Sequence, residues 1–262
     1  ISRIPLDPQL IDCIVFWSKN PEHLMKRLPE LKDYLYYFQF TLTSYGPEIE
    51  PGLPGWEHLV ELFQRLAAQI GKKRVVWRYD PIFFSPTYTL EYHLEAFRRT
   101  ARALADSTER VMISFMDFYA KTRRNTEGLG IRPMEEEETR ALAEALAAIA
   151  REYGLSISTC AEEIDLSPQG IDHGRCIDKE LIQELAGGRI RGKRDKNQRK
   201  ICGCMESIEV GTYHTCLTGC KYCYANFSPE RVERTVKAYD PHSSMLCASL
   251  QPGDEIKVRP MR

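Results

Sequence analysis

The sequence predicts an α/β chain whose parallel sheet winds as a whole or partial barrel of about six strands. Three observations predict it. Strand-like and helix-like runs alternate through the first 160 residues, the order that gives parallel strands with crossover helices. The first strand-like run, IDCIVFW (11–17), is continuously apolar, as a strand covered on both faces is. Repeated units of this kind favour a barrel over an antiparallel fold. A doubly wound open sheet competes, but no G-x-G-x-x-G follows any strand, so a dinucleotide fold gains no support.

The elements follow in order. After the first strand, residues 21–32 read as a helix with Pro21 near its first turn. YYFQFTLT (36–43) is the second strand. Residues 56–70, WEHLVELFQRLAAQI, carry apolar residues at helical spacing and stop at Gly71. RVVWRYDP (74–81) is the third strand, closed by Pro81, and 88–105 is a helix. RVMISFMDF (110–118) is the fourth strand. The run 135–154 is a helix that is acidic at its start, as the macrodipole favours, and ends at Gly154. LSISTCAE (155–162) is the fifth strand. Residues 1–165 thus form five βα units. Residues 166–205 form a cysteine-bearing, basic insertion with one helix at 178–186. Residues 206–240 supply a sixth strand, SIEVGTY (207–213), a cysteine loop, and a helix at 229–238 with Ser228 as N-cap and Pro229 in first position. Residues 241–262 are an irregular tail.

The formal net charge is -1, so the chain has no global attraction to nucleic acid or to a membrane surface. No apolar run approaches the about 20 residues of a membrane span, and no leader of the secretory type opens the sequence. The nine cysteines are an odd, clustered set. In a chain of this length that pattern points to metal or redox chemistry in the cytoplasm rather than to a disulfide scaffold.

Three of the cysteines, Cys216, Cys220 and Cys223, stand as C-x3-C-x2-C in YHTCLTGCKYCYANFSPE (213–230), between the sixth strand and the last helix. In a parallel α/β sheet that strand edge is where active sites lie. Three readings compete: unligated thiols, a zinc site completed by His214 or Cys204, and an iron–sulfur cluster.

The spacing, with Tyr222 just before the third cysteine, resembles the signature of radical S-adenosylmethionine enzymes. The resemblance implies a 4Fe-4S cluster on Cys216, Cys220 and Cys223, with a fourth iron open to the amino and carboxyl groups of S-adenosylmethionine and with Tyr222 near the adenine. It implies further cofactor contacts from Tyr224 and Asn226 in the loop and from Thr43 and Ser114 at strand ends. It also implies a partial six-stranded barrel. Because the motif here follows the last strand instead of the first, that barrel would be circularly permuted. WRYDP, TCAEEIDL, DKNQR, CGC and TCLTGCKYCYAN together resemble an uncharacterised prokaryotic family labelled as related to DNA-repair photolyases of the spore photoproduct lyase type. Members carry an upstream strand, so a missing N-terminal segment is expected. The implied activity is reductive cleavage of S-adenosylmethionine to a 5′-deoxyadenosyl radical that abstracts hydrogen from a substrate, with a flavodoxin or ferredoxin as electron donor. The alternative is a non-catalytic zinc or iron–sulfur protein that binds nucleic acid.

Other residues complete the expectation. Cys160, Cys176, Cys202 and Cys204 could form a second metal site, a 4Fe-4S cluster or zinc; otherwise Cys160 is a buried strand residue. Cys13 reads as core, and Cys247 has no evident partner. Polar residues after each strand gather on the active face: Ser18, Lys19, Asn20, Thr41, Thr43, Arg78, Asp80, Ser114, Asp117, Glu162 and Glu163. Of these, Lys19, Arg78, Asp80, Asp117 and Glu162 are the candidates for catalysis or substrate contact. Arg78 and Asp80 share a strand face and could instead pair with each other. Seven of the twelve residues from Arg189 to Lys200 are basic. That run reads as a solvated loop or as a phosphate-binding strip for nucleic acid.

Overall fold

The computed structural model describes residues 1–259. Its centre is a six-stranded, all-parallel sheet in sequential order: β2 (Ile14–Ser18), β3 (Tyr36–Thr41), β4 (Val75–Ile82), β5 (Arg110–Phe115), β6 (Ser156–Thr159) and β7 (Asp172–His173). The sheet does not close: β2 and β7 are its two edges. A separate two-residue ribbon pairs β1 (Ser2–Arg3) with β8 (Lys257–Val258). The tail 241–262 is otherwise irregular through Arg259, and its last three residues lie outside the described residues.

Alternation along the strands decides what covers each face. Tyr36, Phe38 and Phe40 of β3, Val75, Trp77 and Tyr79 of β4, and Val111 and Ile113 of β5 point to one side. There they pack against α2 (Trp56–Ile70), α3 (Leu90–Leu104) and α5 (Glu136–Glu152) through Phe63, Leu66, Phe97, Leu142 and Leu146, all fully buried. Val15, Tyr37, Val76 and Met112 point to the other side and meet Leu181 and Ile182 of α6 (Lys179–Ala186). The inner face is therefore apolar near the strand starts. Near the strand ends it carries Gln39, Arg78, Ser114 and Cys160.

Three expectations are corrected here. Residues 207–213 form no strand; Val210 is exposed and no ladder partner lies beside the segment. Strand propensity yields a strand only where a neighbouring edge supplies the hydrogen bonds. The sixth strand is instead β7, from within the segment read as an insertion. Gly174, next after it, sits where a Cβ would meet Ser158 Oγ at 2.5 Å and the Thr159 carbonyl at 2.8 Å. The basic run is also more structured than a free loop. Residues 193–206 fold back as a hairpin, with Asp195 N–H donating to the Cys204 carbonyl (2.9 Å) and Glu206 N–H to the Lys193 carbonyl (2.8 Å). The helix expected at 21–32 is α1 (Glu22–Met25) followed by a 3-10 turn at Leu28–Leu31. A short α4 (Ala120–Asn125) follows β5, and α7 (Pro229–Lys237) follows the cysteine loop, capped by Ser228. Among the described residues, no helix is long and apolar enough to cross a membrane.

Candidate functional site

The cysteine loop lies against the connection between β3 and α2, at the strand ends of the sheet. Lys221 N–H donates to the Ile49 carbonyl (3.0 Å) and Gly52 N–H to the Thr218 carbonyl (2.9 Å). Gly52 allows this approach: a Cβ there would meet Thr218 O at 2.7 Å and Leu217 O at 2.9 Å. Gly219, inside the C-x3-C spacing, takes a φ of 70°, a conformation that glycine adopts without strain. Cys216 is exposed, while Cys220 and Cys223 are half-buried. Asn226 Nδ2 donates to the Cys216 carbonyl (2.8 Å), and Lys121 Nζ donates to the Tyr224 carbonyl (3.1 Å). The Tyr224 ring itself is exposed.

Beside Cys220 sits a compact ionic cluster. Glu50 is buried, and its carboxylate accepts from Thr43 Oγ1 (2.8 and 2.9 Å), from Lys19 Nζ (2.8 Å) and from the Tyr222 hydroxyl. Lys19 also reaches Thr43 Oγ1 (3.3 Å) and lies 5.5 Å from the centre of the Tyr222 ring. Burial pushes the Cys220 thiol up to about 12, against the pull of Lys19. Three expected residues (Lys19, Thr43 and Tyr222) thus meet. The sequence reading missed the acid that joins them. Glu50 lies in the β3–α2 connection and not at a strand end, and only the charged EIEP stretch before Gly52 marks it.

Arg78, Asp80 and Ser114 meet on the inner face. Arg78 Nε donates to Asp80 Oδ2 (2.9 Å), and Ser114 donates to the other carboxylate oxygen. The Arg78–Asp80 pair is therefore internal. Burial alone would lower the Arg78 pKa; the Asp80 carboxylate, together with Cys176 and Cys160, holds the guanidinium above its ordinary value. Arg78 Nη1 points on to Cys176 Sγ (2.9 Å). Asp117 is exposed and pairs with Arg199 of the hairpin. Glu162 accepts the Phe115 N–H (2.9 Å) after β6. Burial, then the charges of Asp117, Asp80 and Cys160, push its carboxyl up to about 7.

Glu162 and Asp117 line a cavity of about 560 Å³ at the ends of β4, β5 and β6, roofed by Arg199 and Lys200 of the hairpin. Phe115 and Met116 give it apolar walls. Asp80 lies close enough to both Glu162 and Tyr224 for its charge to act on each.

The second cysteine set also comes together. Cys160 Sγ and Cys176 Sγ are 2.9 Å apart, and Cys176, Cys202 and Cys204 share one buried cluster against which Cys160 packs. Cys13 packs beside that group, and burial pushes its thiol up to about 12. Among the described residues, no three His, Cys, Asp or Glu side chains are arranged, as they stand, to hold a metal ion.

No curated protein matches. A solved structure of a candidate alpha-L-fucosidase from Bacteroides thetaiotaomicron VPI-5482 overlaps 70% of this chain and 76% of its own. The overlap has 11% identity and a TM-score of 0.32, too low to carry any functional inference. The model of the domain of unknown function DUF1848 matches residues 1–225, and the chain belongs to that family.

Proposed function

We propose that the chain is an iron–sulfur enzyme of the radical S-adenosylmethionine type. The observation that carries the reading is the docking of the C-x3-C-x2-C loop on the strand ends of an open parallel sheet, beside the buried Glu50 and its partner Lys19. The donor set suits the cofactor: three thiols lie on one loop, and the loop's backbone is fixed by hydrogen bonds to residues 49 and 52.

Cys216, Cys220 and Cys223 would hold the cluster, which when bound supplies the electron that cleaves S-adenosylmethionine reductively to methionine and a 5′-deoxyadenosyl radical. The chain's own residues do the rest. Glu50 fixes Tyr222 and Lys19, so the loop presents one geometry. The Lys19 ammonium lies close enough to Cys220 for its charge to favour the thiolate there. Asn226 ties the backbone of Cys216 to the far end of the loop. The cavity lined by Glu162 and Asp117 is the proposed substrate site. Phe115 and Met116 supply its apolar side, Asp117, Arg132 and Arg199 its polar side, and Glu162, with its carboxyl raised to about 7, can hold or accept a proton there. The Arg78–Asp80–Ser114 group is held together by its own hydrogen bonds on the sheet's inner face. An external one-electron donor of the flavodoxin or ferredoxin class is required. The hairpin's exposed basic residues leave nucleic acid open as a substrate class.

Metal and sulfide analysis of anaerobically purified protein tests the assignment. Iron and sulfide in equal amounts, lost in the Cys216→Ala, Cys220→Ala and Cys223→Ala variants, are expected. Zinc bound at these cysteines without sulfide would overturn it and favour the non-catalytic alternative.

A further inference from the structure

Four thiols from three separate segments meet on the inner face of the sheet. Cys160 follows β6, Cys176 lies between β7 and α6, and Cys202 and Cys204 lie on the return arm of the hairpin. Cys176, Cys202 and Cys204 are buried and Cys160 is half-buried. Cys160 and Cys176 touch at 2.9 Å, and Cys202 and Cys204 belong to the same buried cluster. Two donors aim at the sulfurs: Arg78 Nη1 at Cys176 Sγ (2.9 Å) and the Ile177 N–H at Cys204 Sγ (3.4 Å).

Arg78 is paired with Asp80 through Nε, and its Nη1 lies closest to Cys176 Sγ (2.9 Å), ahead of Met112 Sδ (3.1 Å) and Gln39 Oε1 (3.5 Å); a neutral thiol is a weak acceptor for such a donor. A tetrathiolate around a divalent ion carries a net charge of about −2, and buried charge of that kind requires a cation and N–H donors close by. The surroundings therefore match a charged sulfur cluster better than four packed thiols.

The hairpin supplies a second reason. Residues 187–201 contain only Ile190 and Ile201 as large apolar side chains, and Ile201 is exposed. The segment has little with which to order itself, whereas metal–thiolate bonds supply folding energy directly. Gly203, between the two cysteines, leaves room for the Arg175 side chain, which a Cβ would meet at 3.0 Å.

The spacing selects the occupant. Around one tetrahedral ion with bonds of about 2.3 Å, neighbouring sulfurs stand about 3.8 Å apart. The Cys160–Cys176 pair, at 2.9 Å, must part by about 1 Å to reach that spacing, whereas a four-iron cube would require the same pair to part several times further.

We propose that Cys160, Cys176, Cys202 and Cys204 bind one Zn²⁺ as a closed tetrathiolate site that fastens the hairpin to the ends of β6 and β7. Binding forms four Zn–S bonds and releases the four thiol protons to solvent. All four positions belong to protein, so the ion is structural. The hairpin it fastens carries Arg199 and Lys200 over the cavity.

The test uses the full chain carrying Cys216→Ala, Cys220→Ala and Cys223→Ala, which removes the first cysteine site. About one zinc per chain and no iron is expected. Adding Cys202→Ser and Cys204→Ser should abolish zinc binding and speed tryptic cleavage at Lys193–Lys200 at least tenfold. If that variant fails to fold, cobalt(II) exchanged into the triple variant should show the absorption of a tetrahedral site with four thiolates. Iron with sulfide on the triple variant, no metal at all, or a cobalt spectrum of fewer than four thiolates overturns the proposal. Loss of iron from the wild-type chain bears only on the first site.

Discussion

Gly52→Ala is the sharpest perturbation of the cysteine loop. The added Cβ would lie 2.7 Å from Thr218 O and 2.9 Å from both Leu217 O and Thr218 Cα, all backbone atoms of the loop. No side-chain rotation relieves the clash. Restoring ordinary contact, which begins near 3.4 Å, means lifting the loop by about 0.7 Å. The Gly52 N–H bond to Thr218 O at 2.9 Å then stretches towards breaking. Overpacking of this size costs about 1–3 kcal/mol, and the hydrogen bond adds about 1 kcal/mol. The loop is outside the main core, so most of that cost should appear as a displaced loop rather than as global unfolding. A loss of about 2 kcal/mol in loop positioning weakens cluster retention about 30-fold. The assay is bleaching of the visible absorption by a graded iron chelator after anaerobic reconstitution. Gly188→Ala is the control, because nothing lies within 4 Å of its Cβ position. A Gly52→Ala protein with wild-type chelator resistance and wild-type stability would refute the docking account.

Other outcomes follow from the same geometry. Glu50→Ala strips the buried partner from Lys19 and should cost about 3 kcal/mol in chemical denaturation; a loss below about 1 kcal/mol would show that the cluster is not a unit. Glu162 has a folded pKa raised to about 7 from an ordinary 4.5. The folded state therefore binds its proton more tightly, and stability falls as pH rises from about 4.5 to 7. Glu162→Gln should flatten that slope, by about 1–3 kcal/mol across the window, and an unchanged slope would contradict the shift. In metal-free protein, iodoacetamide at pH 8 should label exposed Cys216 well before Cys220, whose thiol burial holds near 12. Peptide mass spectrometry reads the order, and equal labelling would contradict it.

Five of the six sheet strands and the long helices were legible because each run is long and its period unambiguous. Residues 56–70 matched α2 in full, and α3 and α5 matched to within two residues at each end. β7 was not legible, because a two-residue strand leaves no periodicity and exists only where the edge of β6 offers partners. The run 207–213 misled for the converse reason: its composition suits a strand, but no edge is available to it. The three loop cysteines announced themselves by spacing, and Lys19, Thr43, Arg78, Asp80 and Ser114 by following strands. Glu50 and Gly52 did not, since their roles come from what the folded loop brings against them. The bland reading of Arg78 and Asp80 as partners was correct. The guanidinium's further reach to Cys176 needed the fold.

Incubation of the anaerobically reconstituted chain with S-adenosylmethionine and dithionite, followed by chromatographic detection of 5′-deoxyadenosine, tests the central proposal most directly. The account predicts 5′-deoxyadenosine and methionine from the wild-type protein. It predicts none from a Cys220→Ala variant that keeps the wild-type circular dichroism spectrum. An iron- and sulfide-loaded wild-type chain that releases no 5′-deoxyadenosine, or a Cys220→Ala chain that releases as much as wild type, would contradict it.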